Sequence, residues 1–262
     1  MNIGILGPLM ISAGGRTEYV RLAPKPRTVL ALLSGHAGGL ISAASLEREV
    51  WGESPPASSS RNLHTYVLQC RKVLAQASGM TQRAVANELL VTRPGGYTVC
   101  DDLITFDYRR FAALSEKGRR ALREGELMQS IDMLSNALSA WRGPAFADVV
   151  AGCVLEARRR QLQDSRLGVI EDLSDARITA GQYHEAIAGL AVPVSEHPLH
   201  EGLHFQYMRA LGISGGRSRA LEVFSRLRLS LVTELGIEPG AAVQQLQRRI
   251  LSSADLGSSR VS

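Results

Sequence analysis

The spacing of side chains in residues 60–77 suits a helix that reads nucleic acid. Apolar residues at i, i+4, i+7 and i+11 predict one buried stripe: Leu63, Val67, Cys70 and Leu74. The opposite arc carries polar and basic side chains, with Leu68 beside them: Arg61, Asn62, Thr65, Tyr66, Gln69 and Lys72. Contact with base edges and phosphates needs one face that packs and one face of such side chains. An ordinary amphipathic surface helix has the same pattern, so the helix alone leaves both interpretations open.

A second segment has the spacing of a zinc site. The run HEGLH at 200–204 matches HExxH, in which two histidines one helical turn apart bind zinc and the glutamate activates water. Glu222 matches a third ligand only by loose spacing, and Gly202 weakens the helix that the motif needs. We expect a packing helix with no metal and no cofactor, and the alternative is a zinc hydrolase.

The elements around residues 60–77 predict a small α+β domain. Residues 60–77 follow two β-prone runs, at 3–6 and 19–22, which are joined by a turn. Two helices come next, and they begin near Pro24 and Ser42. Residues 60–77 are followed by a hairpin at 89–99 with a Gly-rich tip. This order is that of a winged helix-turn-helix, with residues 60–77 as the recognition helix and the hairpin as the wing.

From residue 107 onward the sequence pattern is entirely helical. In three places a glycine is followed five residues later by a small residue and then by an aliphatic one: 125–131, 181–187 and 215–221. The last two glycines are 34 residues apart, the period of a tetratricopeptide repeat, whereas the first interval of 56 residues makes the array irregular. The sequence therefore predicts a mainly α protein, in which an N-terminal winged helix-turn-helix is followed by an all-α tetratricopeptide-like repeat domain.

Charge is distributed unevenly along the 262 residues. Residues 1–100 hold 10 basic and 5 acidic side chains, and residues 101–262 hold 20 of each, so the net charge of +5 lies in the first part. Such an excess suits a polyanionic partner. We divide the chain into a DNA-binding domain at 1–100, a helical domain at 101–255 and a flexible polar tail at 256–262.

Other features of the sequence concern its compartment. The three cysteines are far apart and form no CxxC pair, which fits a reducing cytoplasm. No run of about 18 apolar residues predicts a membrane span, and the first residues do not have the pattern of a secretory signal. We expect a cytoplasmic protein with no membrane contact.

Nine motifs in order resemble the Streptomyces antibiotic regulatory proteins, over about residues 3–251. They are ILGPL at 5–9, KPRTVLALLSGHAG at 25–38, LEREVWG at 46–52, RNLHTYVLQCRKVL at 61–74, RPGGY at 93–97, FDYRRF at 106–111, ALSAWRGPAF at 137–146, HPLHEGLH at 197–204 and ELGIEPG at 234–240. Any single motif is weak, but together and in order they are specific. The HPLHEGLH motif also accounts for the HExxH match without a metal.

The resemblance implies a transcriptional activator of the small, two-domain type and no enzyme. Such proteins have an OmpR-type winged helix and a bacterial transcriptional activator domain, and they bind direct repeats near the −35 promoter element. Two protomers usually lie side by side on the double-stranded DNA and recruit RNA polymerase holoenzyme, including its sigma factor. Their targets are usually antibiotic or other secondary-metabolite gene clusters, which implies a nucleoid-associated protein.

The resemblance also implies where the contacts lie. The outer arc of the recognition helix would meet DNA, together with Arg71 beside it and with Arg93 and Tyr97 of the wing. The loop between the second and third helices would meet polymerase through Glu53, Ser54, Ser58 and Ser59. A protein-binding scaffold of helical repeats, with the N-terminal domain as an adaptor, is the alternative of a different class.

Overall fold

The computed structural model describes the backbone of residues 1–258 and the side chains of residues 1–252 except Arg16. Residues 259–262, the end of the predicted tail, lie outside the described part. Within it, the fold class predicted from the sequence is confirmed: a winged helix with small sheets is followed by an all-helical region. No described helix is both long enough and apolar enough to cross a membrane.

The strands are short and all lie in the first 106 residues of the described chain: β1 (Asn2–Gly4), β2 (Met10–Ala13), β3 (Arg16–Tyr19), β4 (Ile41–Ser42), β5 (Leu90–Arg93), β6 (Gly96–Val99) and β7 (Thr105–Phe106). The helices follow one another through the rest: α1 (Pro24–Gly35), α2 (Ala43–Trp51), α3 (Ser59–Ser78), α4 (Gln82–Ala84, continued by a π-helical turn at Val85–Leu89), α5 (Asp107–Arg123), α6 (Leu127–Leu138), α7 (Cys153–Thr179), α8 (Tyr183–Glu196), α9 (Glu201–Ile213), α10 (Arg217–Leu235) and α11 (Ala241–Ser258).

The chain forms two compact units, each made of two stretches of the sequence. The first unit combines Met1–Ala113 with Ser139–Ser165, and the second combines Leu114–Leu138 with the chain from Arg166 onward. Residues 139–165 therefore pack with the winged helix although they follow α6 in sequence.

The first unit contains a four-stranded and a three-stranded sheet. One has the order β3-β2-β1-β7, with β1 antiparallel to β2 and parallel to β7, and the other has the order β4-β6-β5. The strand predicted at 19–22 ends at Tyr19, and β2 begins at Met10, before the stretch expected to be the turn. After Tyr19, the carbonyls of Val20 and Leu22 accept hydrogen bonds from the Arg27 guanidinium, at 3.3 and 3.0 Å. Because these carbonyls do not pair with a neighbouring strand, the chain leaves the sheet there.

Sequence signals at the helix starts explain the helix-turn-helix. Pro24 lies in the first turn of α1, where no backbone N–H is needed. Ser42 caps α2 by accepting a hydrogen bond from the Ser45 N–H at 3.1 Å. The hydroxyls of Ser59 and Ser60 at the start of α3 donate to the Glu47 carboxylate on α2, at 3.0 and 2.7 Å. These bonds fix the angle between α2 and α3.

Residues 139–152 are not helical, which corrects the prediction of a wholly helical second half. Gly143 has φ of 155° and Phe146 has φ of 55°, neither of which a helix allows. The backbone of this segment instead bonds to the N-terminal strand region: Arg142 N–H donates to the Leu6 carbonyl at 2.8 Å, and Phe146 N–H to the Ile5 carbonyl at 2.9 Å.

The second unit shows the glycine pattern that predicted helical repeats. Each of the three glycines, Gly125, Gly181 and Gly215, has positive φ and lies in the turn before a helix. The small residue five positions later is fully buried each time: Ser130, Ala186 and Ala220. A larger side chain there would separate the packed helices. Consecutive helices α8, α9, α10 and α11 pack against one another around a shared apolar core.

Candidate nucleic-acid interface

Helix α3 has the two faces that the sequence predicted. Leu63, Val67, Cys70 and Leu74 are each at most 2% exposed. The opposite arc presents exposed side chains to solvent: Arg61, His64, Thr65, Leu68, Gln69 and Lys72. The arc combines cations, hydrogen-bonding groups and one exposed leucine, and Leu68 is 57% exposed. It can therefore meet phosphates, base edges and a thymine methyl.

Two residues of the predicted arc are only partly exposed because they have protein partners. Asn62 donates from Nδ2 to the Ser58 hydroxyl at 3.2 Å. The Tyr66 ring stacks on Trp51 of α2, with centroids 5.8 Å apart and planes 22° apart. The ammonium of Lys25 on α1 lies 5.2 Å from the Trp51 ring centroid. A stack through Trp51 thus joins the first three helices at this edge of the interface.

Arg71 ties α3 to the wing. Its Nε donates to the Leu90 carbonyl at 2.9 Å and its Nη2 to the Thr92 hydroxyl at 2.8 Å, both on β5. Burial lowers the pKa of Arg71, the usual effect of removing a cation from water. With two of its donor groups occupied, Arg71 sets the position of the wing relative to α3.

The wing hairpin is built around two glycines. Gly95 has φ of 83° at the tip, and a Cβ added to Gly96 would lie 2.1 Å from the Ile41 carbonyl oxygen of β4. Arg93 beside the tip is exposed. Tyr97 is only 4% exposed, and its hydroxyl lies 3.2 Å from His64 Nδ1. Burial raises the pKa of Tyr97, which keeps the phenol protonated.

His64 and Lys25 belong to this surface but were not predicted. His64 lies three residues after Arg61 on the same arc, so the helical period alone identifies it. Lys25 had no such signal, since only the packing of Trp51 between α1 and α3 places it there.

The loop predicted to meet polymerase is mostly accessible. Glu53, Ser54 and Ser58 are exposed. Ser59 is 7% exposed, and its hydroxyl is bound to Glu47. Ser59 therefore supports the start of α3, and the other three residues form the accessible part of the loop.

The residues of the HExxH run have structural partners. His200 Nδ1 accepts from the Leu203 N–H at 3.4 Å at the start of α9. Glu201 accepts from the Gly240 N–H at 2.6 Å. His204 is 4% exposed, with Nδ1 3.0 Å from the His200 carbonyl. The described residues contain no group of three or more histidines, cysteines or acids placed to hold a metal.

Helix α3 and the wing together define a winged helix-turn-helix regulator joined to a helical domain, and comparison with known proteins identifies the family. Residues 16–98 match the family model "Transcriptional regulatory protein, C terminal", and residues 106–251 match "Bacterial transcriptional activator domain". The chain belongs to the Streptomyces antibiotic regulatory protein family of transcriptional regulators. It is thus a regulator and not an enzyme.

Individual relatives match nearly the whole chain. Regulatory protein DnrI of Streptomyces peucetius is 40% identical over 260 residues, which cover 99% of this chain and 95% of DnrI. Transcriptional regulator RedD of Streptomyces coelicolor is 32% identical and covers 96% of this chain and 71% of RedD. Among solved structures, Mycobacterium tuberculosis EmbR, in complex with a low-affinity phosphopeptide, superimposes with a TM-score of 0.85 at 32% identity. That match covers 96% of this chain and 65% of the EmbR chain.

Proposed function

We propose that this regulator binds direct repeats near the −35 promoter element and recruits RNA polymerase holoenzyme, including its sigma factor. Two protomers lie side by side on the DNA and switch on an antibiotic or other secondary-metabolite gene cluster, which makes the protein cytoplasmic and nucleoid-associated. The single observation that supports DNA contact most strongly is the exposed arc of α3 opposite a fully buried stripe. A helix of this kind fits the major groove of B-DNA.

The chemistry of each side chain on α3 suggests which part of the DNA it contacts. Arg61 and Lys72 stand at the two ends of the arc and suit phosphates, which give affinity without sequence preference. Thr65 and Gln69 lie between them, and Asn62 lies next to Arg61. The hydroxyl and amide groups of these three side chains suit base edges. Leu68 offers an apolar surface to a thymine methyl.

The wing supports the helix and adds a contact of its own. Arg93 is exposed beside the tip and suits a backbone phosphate. Arg71 and Tyr97 contribute by position: Arg71 holds β5 against α3, and Tyr97 orients His64. Tyr66 acts through its stack on Trp51 in the same way.

Polymerase contact is proposed for the loop before α3. Glu53, Ser54 and Ser58 are accessible there, while Ser59 holds the loop to Glu47. Since the loop ends where α3 begins, a protein bound to it would stand next to the DNA contacted by α3.

The salt dependence of DNA binding tests the proposed face. Each phosphate contact releases condensed counterions, so Arg61→Ala and Lys72→Ala should each weaken binding and lower the slope of log K against log salt by about 1. Gln69→Ala should instead keep the slope and lose about 1–3 kcal/mol of discrimination at one base pair. Fluorescence anisotropy with the full chain and a promoter repeat measures all three.

Arg248→Ala serves as the matched control, since Arg248 is an exposed arginine of α11. Unchanged salt slopes in both the Arg61 and Lys72 variants would contradict the assigned face. Absence of any DNA shift by the full chain at low salt would favour the protein-binding scaffold.

A further inference from the structure

Helices α8, α9 and α10 of the second unit line an open cavity of about 470 Å³. Small-molecule sites in proteins have volumes of about 300–1,000 Å³. Part of the wall is apolar, formed by residues such as Val194, Pro198 and Val223. The other part carries six polar or basic side chains: Ser195, His204, Tyr207, Arg219, Arg226 and Ser230. The cavity thus combines an apolar side with a cationic, hydrogen-bonding side.

The buried polar groups offer one acceptor and one donor. His204 Nδ1 lies 3.0 Å from the His200 carbonyl, and since a carbonyl oxygen can only accept, Nδ1 carries the hydrogen. Burial also lowers the pKa of His204, so the ring is neutral and Nε2 is left as an acceptor. The Tyr207 hydroxyl accepts from Arg219 Nη2 at 3.2 Å, which leaves its own O–H free to donate.

The two arginines of the cavity lack acidic partners among the described residues. Neither Arg219 nor Arg226 takes part in an ion pair there. Other arginines on the same helices are paired: Arg209 with Asp175, and Arg228 with Glu238. The charge of Arg226 also contributes to the lowered pKa of His204, so positive potential reaches the cavity wall. An anion bound there would offset part of this positive charge.

We propose that this cavity binds a small amphipathic organic anion. Its carboxylate would meet Arg219 and Arg226, where charge-assisted hydrogen bonds are strongest. A hydroxyl on the ligand would donate to His204 Nε2, and the apolar body would lie against Val194, Pro198 and Val223. The site lies in the second unit and uses no residue of α3 or the wing, so it adds a small-molecule effector to the DNA-binding role.

Three related fluorescent compounds test the proposal with the full chain. 6-Hydroxy-2-naphthoate carries the carboxylate, the hydroxyl and the apolar body, 2-naphthoate lacks the hydroxyl, and 2-naphthol lacks the carboxylate. Isothermal titration calorimetry should show saturable binding of the hydroxynaphthoate at one site per chain. 2-Naphthoate should bind several-fold more weakly, and 2-naphthol about tenfold or more weakly, because it loses the charged contacts.

Variants of the two arginines locate the site. Both side chains are exposed at the rim, so the double variant R219Q/R226Q should keep the fold, as circular dichroism can check. It should weaken hydroxynaphthoate binding about tenfold or more and leave 2-naphthol unchanged, whereas the control R248Q should bind like the parent chain. The proposal is overturned if no naphthoate binds saturably at millimolar concentration, if 2-naphthol binds as tightly as 2-naphthoate, or if R219Q/R226Q has no effect.

Discussion

Two cysteines of the first unit differ in reactivity because one is buried and the other is exposed. Cys70 is fully buried, its Sγ lies 3.3 Å from the Pro26 carbonyl, and burial raises the pKa of its thiol to about 12. Cys153 is exposed at the start of α7. Since the thiolate is the reactive form, a thiol that is buried and raised in pKa reacts slowly with an alkylating reagent.

Native alkylation therefore discriminates the two thiols. At about pH 8, iodoacetamide should label Cys153 while leaving Cys70 unmodified until the protein is unfolded in urea. Mass spectrometry of peptides from native and unfolded samples gives the ratio, and Cys153→Ser identifies the signal. Equal labelling rates for both residues in the native protein would show that α3 is not packed as described.

His204 gives the second unit a pH-dependent stability. Burial is the main cause of its lowered pKa, and the charges of His200 and Arg226 add to the effect, whereas the His200 carbonyl and Glu201 oppose it. A histidine with a lower pKa in the folded state takes up protons first in the unfolded state. Its contribution to the free energy of unfolding is therefore complete above the ordinary value of 6.5 and decreases as pH falls below it.

His204→Gln should remove this component. We expect the free energy of unfolding of the parent chain to fall between about pH 7 and pH 5, and the variant to show a shallower slope over the same interval. Urea unfolding at a series of pH values measures both, with the exposed His184→Gln as the control. A slope identical to that of the parent would mean that His204 is not protected from protonation by the fold.

At the scale of elements, α3 and the wing act as one unit because Arg71 joins them. Arg71→Met keeps most of the side-chain length and removes the hydrogen bonds to Leu90 and Thr92. The variant should lose about 1–3 kcal/mol of unfolding free energy, and amide exchange in β5 and β6 should accelerate. Thr92→Val, which loses one bond, should show a smaller effect.

DNA binding by Arg71→Met distinguishes two roles of Arg71, positioning the wing and contacting a phosphate. If Arg71 only places the wing, Arg71→Met weakens binding without changing its salt slope; if it also contacts a phosphate, the slope falls by about 1. Anisotropy titrations at several salt concentrations give the answer. Unfolding and exchange identical to the parent chain would refute the coupling of α3 to β5.

At the scale of the whole chain, the first unit is completed by residues distant in sequence. Asp107 is 6% exposed and accepts hydrogen bonds from the Ile5 and Leu6 N–H groups, at 2.9 and 3.0 Å. It also forms an ion pair with Arg142 at 3.1 Å. A chain cut after residue 100 would lose these partners and β7, so DNA binding is best measured on the full chain.

The variant Asp107→Ala tests how much these contacts stabilise the first unit. The variant leaves two backbone N–H groups and a partly buried guanidinium without their acceptor, and we expect a loss of about 3–5 kcal/mol. Thermal or urea unfolding detects it, and Asp102→Ala, an exposed carboxylate nearby in sequence, should lie within about 0.5 kcal/mol of the parent. A similar stability for the two variants would show that Asp107 does not stabilise the first unit.

Much of the local structure and part of the candidate site could be predicted from the sequence. The buried stripe of α3, the cap at Ser42 and the glycine turns of the helical unit depend on residues a few positions apart, so the helical period and turn chemistry identify them. The exposed parts of the predicted DNA face, Arg61, Thr65, Gln69 and Lys72, follow from the same period.

The sequence by itself therefore determined most of the helical segments, the apolar face of α3 and the order of the main elements, because these properties depend on neighbouring residues. Only the tertiary structure decided that Arg71 and Tyr97 turn inward to hold the wing and that residues 139–152 close on the N-terminal strands. Those outcomes depend on contacts such as Leu9 to Asp148, 139 positions apart, whose partners no local pattern specifies. A long-range hydrogen bond forms only where packing brings donor and acceptor together, and packing is a property of the whole unit.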